Sequence, residues 1–181
     1  QWEEGEPYYG SDSTIAPRDI AAEAQLWMEE IALEQATTER PVSVIRASNV
    51  QGVPIMGPPG NGLLHKWASE APIGWVNVPG DGSDFKDFVH VQDLVECIMR
   101  VMADPPPTRE SIAIGSGKGI QLRDLAAIYN QMTGCEAEYG QNQDQEVFGI
   151  VDASEVEMRL GFRPTVSLEE MIRESFEASG H

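Results

Sequence analysis

Two apolar runs most constrain what this chain can fold into. PVSVIRAS at residues 41–48 and SIAIG at 111–115 are of strand length and almost continuously hydrophobic. They lack the alternation of a strand with one face in water, which is the pattern of parallel strands covered on both faces. The first is preceded by helical sequence and the second is followed by it. Strands alternating with helices define an α/β architecture.

The flanking helices have their own signals. Ile20, Ala24, Trp27 and Ile31 recur at helical spacing and predict one buried stripe. Pro17 belongs in the first turn of that helix, which is expected to end near Ala36. VQGVPIMGPPGNG at 50–62 is too rich in Gly and Pro to be anything but a loop. A helix over 62–70 follows, then a short strand in IGWVNVPGDGS that closes on a Gly-Asp-Gly turn. FVHV reads as a strand running into a helix with Leu94, Ile98 and Val101 on one face, which DPPPTRE breaks. A helix over 121–133, with Leu122, Leu125, Tyr129 and Met132 inward, stops at Gly134. Near the C-terminus Ser167 and Glu170 have the spacing of a capping box.

Composition excludes several function classes. The net charge is −18, from 30 acidic and 12 basic residues. So negative a field repels nucleic acid, whose binding requires neutralised phosphates. The same acidity suits a salt-rich solvent, where screening removes self-repulsion. No window approaches a membrane span, and QWEEGEPYYG lacks the layout of a signal peptide, so a cytoplasmic protein is expected. Cys97 and Cys135 make neither a disulfide framework nor a metal-ligand spacing. Cys97, in the apolar run LVECIMRVM, is expected to be a buried thiol. His65, His90 and His181 are scattered, and no metal site is expected.

One Gly-rich stretch stands where a phosphate cradle would. GSGKG at 115–119 follows a strand and precedes a helix. The P-loop pattern requires Gly at position 112, where Ile112 stands, and Ser or Thr at position 119, where Gly119 stands. The dinucleotide fingerprint fails at Ile120. A structural turn is the expectation.

Four segments in order carry a resemblance: VIRASNVQG, GDGSDFKDFVHVQDLVE, SIAIGSGKGIQLRDLAAI and VDASEVEMRLGFRPTVSLEEMI. Together, from about Thr14 to Met171, they resemble the extended short-chain dehydrogenase/reductase family of NAD(P)-dependent sugar-nucleotide epimerases and dehydratases. Only the C-terminal half of that family has a counterpart here. The implied fold is part of a Rossmann-like doubly wound parallel sheet plus a small α/β substrate-binding lobe. Residues 1–60 would be the remnant of the sheet and 61–181 the lobe, with strand 111–115 returning to the sheet.

The resemblance implies a sugar-nucleotide pocket. Asn49 matches a family Asn that contacts the diphosphate, and Asn61 and Leu63 match the segment closing over diphosphate and base. Val78 falls where the base pocket is lined. Lys86 takes the slot of a phosphate-binding Arg, supplying charge without the two-pronged contact. Asp152 matches an acidic residue that accepts hydrogen bonds from the ribose. The proton-transfer pair of the family, a Tyr and a Lys four residues on, falls on Ile15 and Asp19. Ile15 does not ionise, and Asp19 would raise a neighbouring phenol's pKa where the family's Lys lowers it. Tyr9 is the alternative phenol, with Ser13 rather than Lys four residues on.

The leading expectation is therefore the nucleotide-sugar-binding portion of an epimerase or dehydratase. NAD or NADP is implied by the family and is not expected to be held by this chain alone; a second chain or an N-terminal segment would complete it. The competing readings are a non-catalytic relative with a binding or structural role, and the C-terminal part of a thioester reductase.

Overall fold

The computed structural model describes residues 8–13, 17, 19–53, 62–140 and 149–180. In chain order the elements are β1 (Tyr8–Tyr9), α1 (Ile20–Glu34), β2 (Val42–Ala47), β3 (Asn49–Gln51), α2 (Leu63–Glu70), β4 (Trp75–Val78), β5 (Phe85–His90), α3 (Val91–Ala103), β6 (Arg109–Ile114), β7 (Gly119–Gln121), α4 (Leu122–Thr133), β8 (Glu136–Tyr139), β9 (Ile150–Val151), α5 (Ala153–Leu160) and α6 (Leu168–Ala178). The two apolar runs that set the fold class are neighbours. β2 and β6 pair in parallel from Val42↔Arg109 to Ala47↔Ile114. β3 pairs in parallel with β5, β4 with β8, and β1 with β9, while β7 runs antiparallel to β5. The fold is α/β with mostly parallel strands, β7 being the exception, as the alternating pattern leads one to expect.

β5 is the wall between two hydrophobic cores. Successive side chains of a strand point to opposite faces, so Phe88 enters one core and Val89 the other. Phe88 packs with Leu64, Trp67, Val76, Val78, Leu122, Leu125, Tyr129 and Ile172. Val89 packs with Cys97, Val101, Ile112, Ile114 and Val156. Trp67 anchors the first core: it is fully buried, donates its indole N–H to the Asn77 carbonyl at 2.9 Å, and meets Tyr129 edge-on at 5.3 Å between ring centroids. Cys97 is a buried thiol, pushed up to about 11, first by burial and then by the nearby Glu110 charge.

Capping follows the sequence signals. The Ser167 hydroxyl accepts from the Glu170 N–H, and the Glu170 carboxylate reaches back to the Ser167 N–H, closing the capping box. Gly134 ends α4 at φ +79°, a left-handed conformation that costs a side-chain residue strain. Asp93, on the inner face of α3, accepts from the Thr165 and Val166 N–H groups at 3.1 Å and so ties the segment before α6 to α3.

The helix before β2 departs from expectation. It begins at Ile20 with Asp19 as its cap, so Pro17 precedes it rather than lying in its first turn. The stripe Ile20, Ala24, Trp27, Ile31 is not buried: Ile20 is 84% exposed, Trp27 62% and Ile31 61%. The half-buried positions are Ala22, Leu26, Glu29, Ala32 and Leu33, centred about half a turn round the helix. Both sets have helical spacing, so periodicity could not choose between them. Glu29 settles the orientation, since its carboxylate pairs with Arg46 of β2 at 2.8 Å. Ile98 and Met132 also turn outward from the faces assigned to them.

Trp67 and Trp27 provide a test. Trp67→Ala removes the core anchor and strands the Asn77 carbonyl, so urea unfolding is expected to show a loss of about 3–5 kcal/mol. Trp27→Ala at high dilution is expected to change stability by less than about 0.5 kcal/mol.

Candidate functional site

The candidate residues gather where β5 meets β3, the 115–119 turn and β9. Asn49, the first residue of β3, donates its side-chain N–H to the Asp87 carbonyl at 2.8 Å. Lys86 precedes Asp87 on β5, lies opposite Ile120 of β7 and is only 9% exposed. The Asp87 side chain, 0% exposed, points to the other face. Its Oδ1 accepts from the Ser116 N–H at 2.9 Å and the Ser116 hydroxyl at 2.6 Å. Its Oδ2 accepts from the Gly117 N–H at 3.3 Å and the Val151 N–H at 3.0 Å. Burial raises the Asp87 pKa against the pull of these donors.

Val151 leads directly to Asp152, whose own N–H donates to the Tyr9 carbonyl at 2.9 Å. The exposed Asp152 carboxylate caps α5, accepting from the Ser154 N–H at 2.9 Å, and hydrogen bonding from the Ser154 side chain first and its backbone second holds its pKa below the ordinary value. Tyr9, opposite Val151 across the β1–β9 pair, has its phenol pushed up to about 12, first by burial and then by the Asp87 charge. Ser11 donates its N–H and hydroxyl to Glu155 of α5, and its carbonyl accepts from Arg46, so residues 8–13 are tied to β2 and α5 together.

The remaining candidates fall elsewhere. Val78 is wholly buried in the first core, so its side chain has no surface to offer a base. Leu63 opens α2 and packs half-buried against that same core. Asp19, in the position matching the family Lys, is the N-cap of α1: its Oδ1 accepts from the Ala22 N–H at 2.7 Å. Ile15 and Asn61 lie outside the described residues.

The GSGKG turn proves to be a cradle, but its donors point at the protein's own carboxylate. Successive backbone N–H groups in such a turn make a concavity for an anion, and Asp87 fills it. The described residues of this turn therefore do not fit a dinucleotide pyrophosphate. Asp87 was missed by motif reading. The available signal was a carboxylate in the middle of the strand-like segment FKDFVHV, since a buried charge must find partners.

The fold and this strand junction define an α/β protein of the Rossmann-like class. The chain belongs to the NAD dependent epimerase/dehydratase family, whose model matches residues 4–115. It is 30% identical over 105 residues to GDP-L-fucose synthase 1 of Arabidopsis thaliana, covering 56% of this chain and 32% of that protein. It is 29% identical over 150 residues to dTDP-L-rhamnose 4-epimerase of Burkholderia thailandensis, covering 76% of this chain and 39% of that protein. Among solved structures, dTDP-glucose 4,6-dehydratase of Bacillus anthracis in complex with NAD superposes with a TM-score of 0.80 at 20% identity, over 98% of this chain and 56% of that one. MoeE5 in complex with UDP-glucuronic acid and NAD gives 0.79 at 22% identity, over 92% of this chain and 57% of that one. The chain thus spans well under half the length of these two curated relatives. Among the described residues no helix is long and apolar enough to cross a membrane, and no cluster of His, Cys, Asp and Glu could hold a metal.

The Tyr9 phenol gives a pH test. Because its pKa in the fold lies above the unfolded value of 10.0, its contribution to stability is complete below pH 10 and is lost as pH rises through about 12. Ultraviolet difference titration of the protein against Tyr9→Phe is expected to show the missing phenol ionising near 12.

Proposed function

We propose that this chain is the nucleotide-sugar-binding portion of an NAD(P)-dependent epimerase/dehydratase-like protein, its proton and hydride chemistry completed by residues outside it. The observation that carries the reading is the convergence on Asp87. Asn49 is bonded to its carbonyl, Lys86 adjoins it, and Asp152 follows the residue whose N–H it holds. A positive group, an amide and a carboxylate are the groups that a sugar diphosphate and a ribose call for. The relatives' names support the ligand class: two are named for GDP-L-fucose and dTDP-L-rhamnose, and MoeE5 is in complex with UDP-glucuronic acid.

The same residues argue against turnover by this chain alone. A phenol held near 12 is not a base poised for neutral pH. Asp19 brings a carboxylate and a helix cap where a cation would be needed. These two observations also favour the second reading, a non-catalytic relative that binds without reacting.

The proposed partner is a polypeptide segment, on this or another chain, that adds a strand beside β2. That strand pairs with β6 alone among the described residues, and an open edge is a template for further pairing. Beside it Trp27, Met28 and Ile31 stand exposed. An assembled state is therefore expected in size-exclusion chromatography at micromolar concentration, weakened by Trp27→Ala; a cooperatively folding monomer would count against the partner.

Calorimetric titration with UDP-glucose, dTDP-glucose, GDP-mannose and CDP-glucose, with NAD and NADP run separately, tests the main reading. Binding of at least one sugar nucleotide, with neither dinucleotide bound, is the expected result. Lys86→Ala should then weaken that binding roughly tenfold or more, the effect of losing a charge-assisted contact to a diphosphate. Absence of any sugar-nucleotide binding sinks the reading.

A further inference from the structure

The Asp87 carboxylate sits in a setting that the sequence pattern associates with bound phosphate. The turn follows a strand, its backbone N–H groups converge, and Gly117 takes φ +72°. The turn is also built tightly around its anion. A Cβ on Gly115 would stand 2.5 Å from Asp87 Oδ2 and 2.7 Å from the Val151 Cβ. The four donors are shared two to each oxygen, one pair from Ser116 and the other from Gly117 and Val151. All four are neutral, so the charge is met by dipoles fixed in the backbone and one hydroxyl.

The consequence lies in what those donors belong to. Val151 is half of β9, which pairs with β1 and leads into Asp152. Ser116 and Gly117 end the segment that follows β6 of the parallel sheet. On the other side, the Asp87 carbonyl holds Asn49, and Lys86 is the next residue back along β5. One residue therefore links the sheet, the β1–β9 ribbon and the strand that carries the candidate diphosphate contacts.

We propose that Asp87 is the positioning residue of this pocket: a built-in anion that occupies the cradle of the 115–119 turn and β9, and so sets where Asp152 stands relative to Asn49 and Lys86. Its role at the pocket rests on the nucleotide-sugar reading; its role in the cradle does not. The proposal also accounts for the departures of GSGKG from the phosphate motifs, because no external phosphate enters a cradle already filled.

The test separates the two. Asp87→Ala removes the carboxylate and leaves its space, so a small carboxylate from solution is expected to replace it. Hydrogen exchange at the Ser116, Gly117 and Val151 amides should accelerate roughly tenfold or more, the cost of orphaning donors to a charged group. Sodium formate should restore most of the protection, and sodium chloride at equal ionic strength should not. A merely structural loss would give no such difference. Asp87→Asn turns an NH2 towards one pair of donors and fills the space, so it should lose protection without formate rescue. If Asp87→Ala does not fold, Asp87→Asn and Ser116→Ala, the latter expected to accelerate exchange only a few-fold, carry the measurement. Unchanged exchange in the folded variants, or formate no better than chloride in Asp87→Ala, overturns the cradle. The parent protein and the variant are titrated in parallel with the four sugar nucleotides. If the parent binds none, the nucleotide-sugar reading falls, the pocket role falls with it, and exchange decides the cradle. If the parent binds and the variant binds as tightly, the positioning role is overturned.

Discussion

A single carboxylate with no exposure to water organises this molecule. Burying an ionised Asp is costly unless every lone pair finds a donor. Asp87 meets that requirement by drawing donors from the 115–119 turn and from β9. The demand for hydrogen bonds brings together segments far apart in the chain, and their convergence creates the junction at which the candidate ligand residues meet. Hydrophobic packing alone would not specify this register, because apolar contacts are non-directional.

The two cores share β5 and differ in what they do. The first, around Trp67 and Tyr129, takes in Leu63 and Val78. The second, around Val89 and Ile114, belongs to the parallel strands and to α3 and α5. Side-chain alternation along one strand couples them, so the site lies on the element common to both. Secondary links reinforce it: His90 accepts from the Gln92 N–H through Nδ1 and donates from Nε2 to Glu174 of α6 at 2.8 Å, and Arg159 of α5 bridges Asp104 and Glu110.

Asp19 shows what the start of α1 requires. A helix start needs an acceptor for its unpaired N–H groups, and Asp meets that need better than Lys. Asp19 fills that role with its Oδ1 on the Ala22 N–H, while the Tyr9 phenol, in the ribbon paired with β9, is kept neutral by burial.

The sequence by itself determined the class of the fold, the caps and the family. Continuous apolar strands, Gly134 and the Ser167–Glu170 pair are local signals, because each acts over only a few residues. Asn49, Lys86 and Asp152 were nominated only through ordered motifs, since a lone polar residue has no periodicity to single it out. What tertiary structure alone decided was orientation and partnership. α1 is apolar on two faces, and only the Arg46–Glu29 pair across β2 selects which is inside. Val78 looked like a pocket wall and became core. GSGKG was expected to be a structural turn, and only the long-range approach of β5 revealed that the turn closes on Asp87. These outcomes depend on contacts between residues tens of positions apart, which local pattern does not encode.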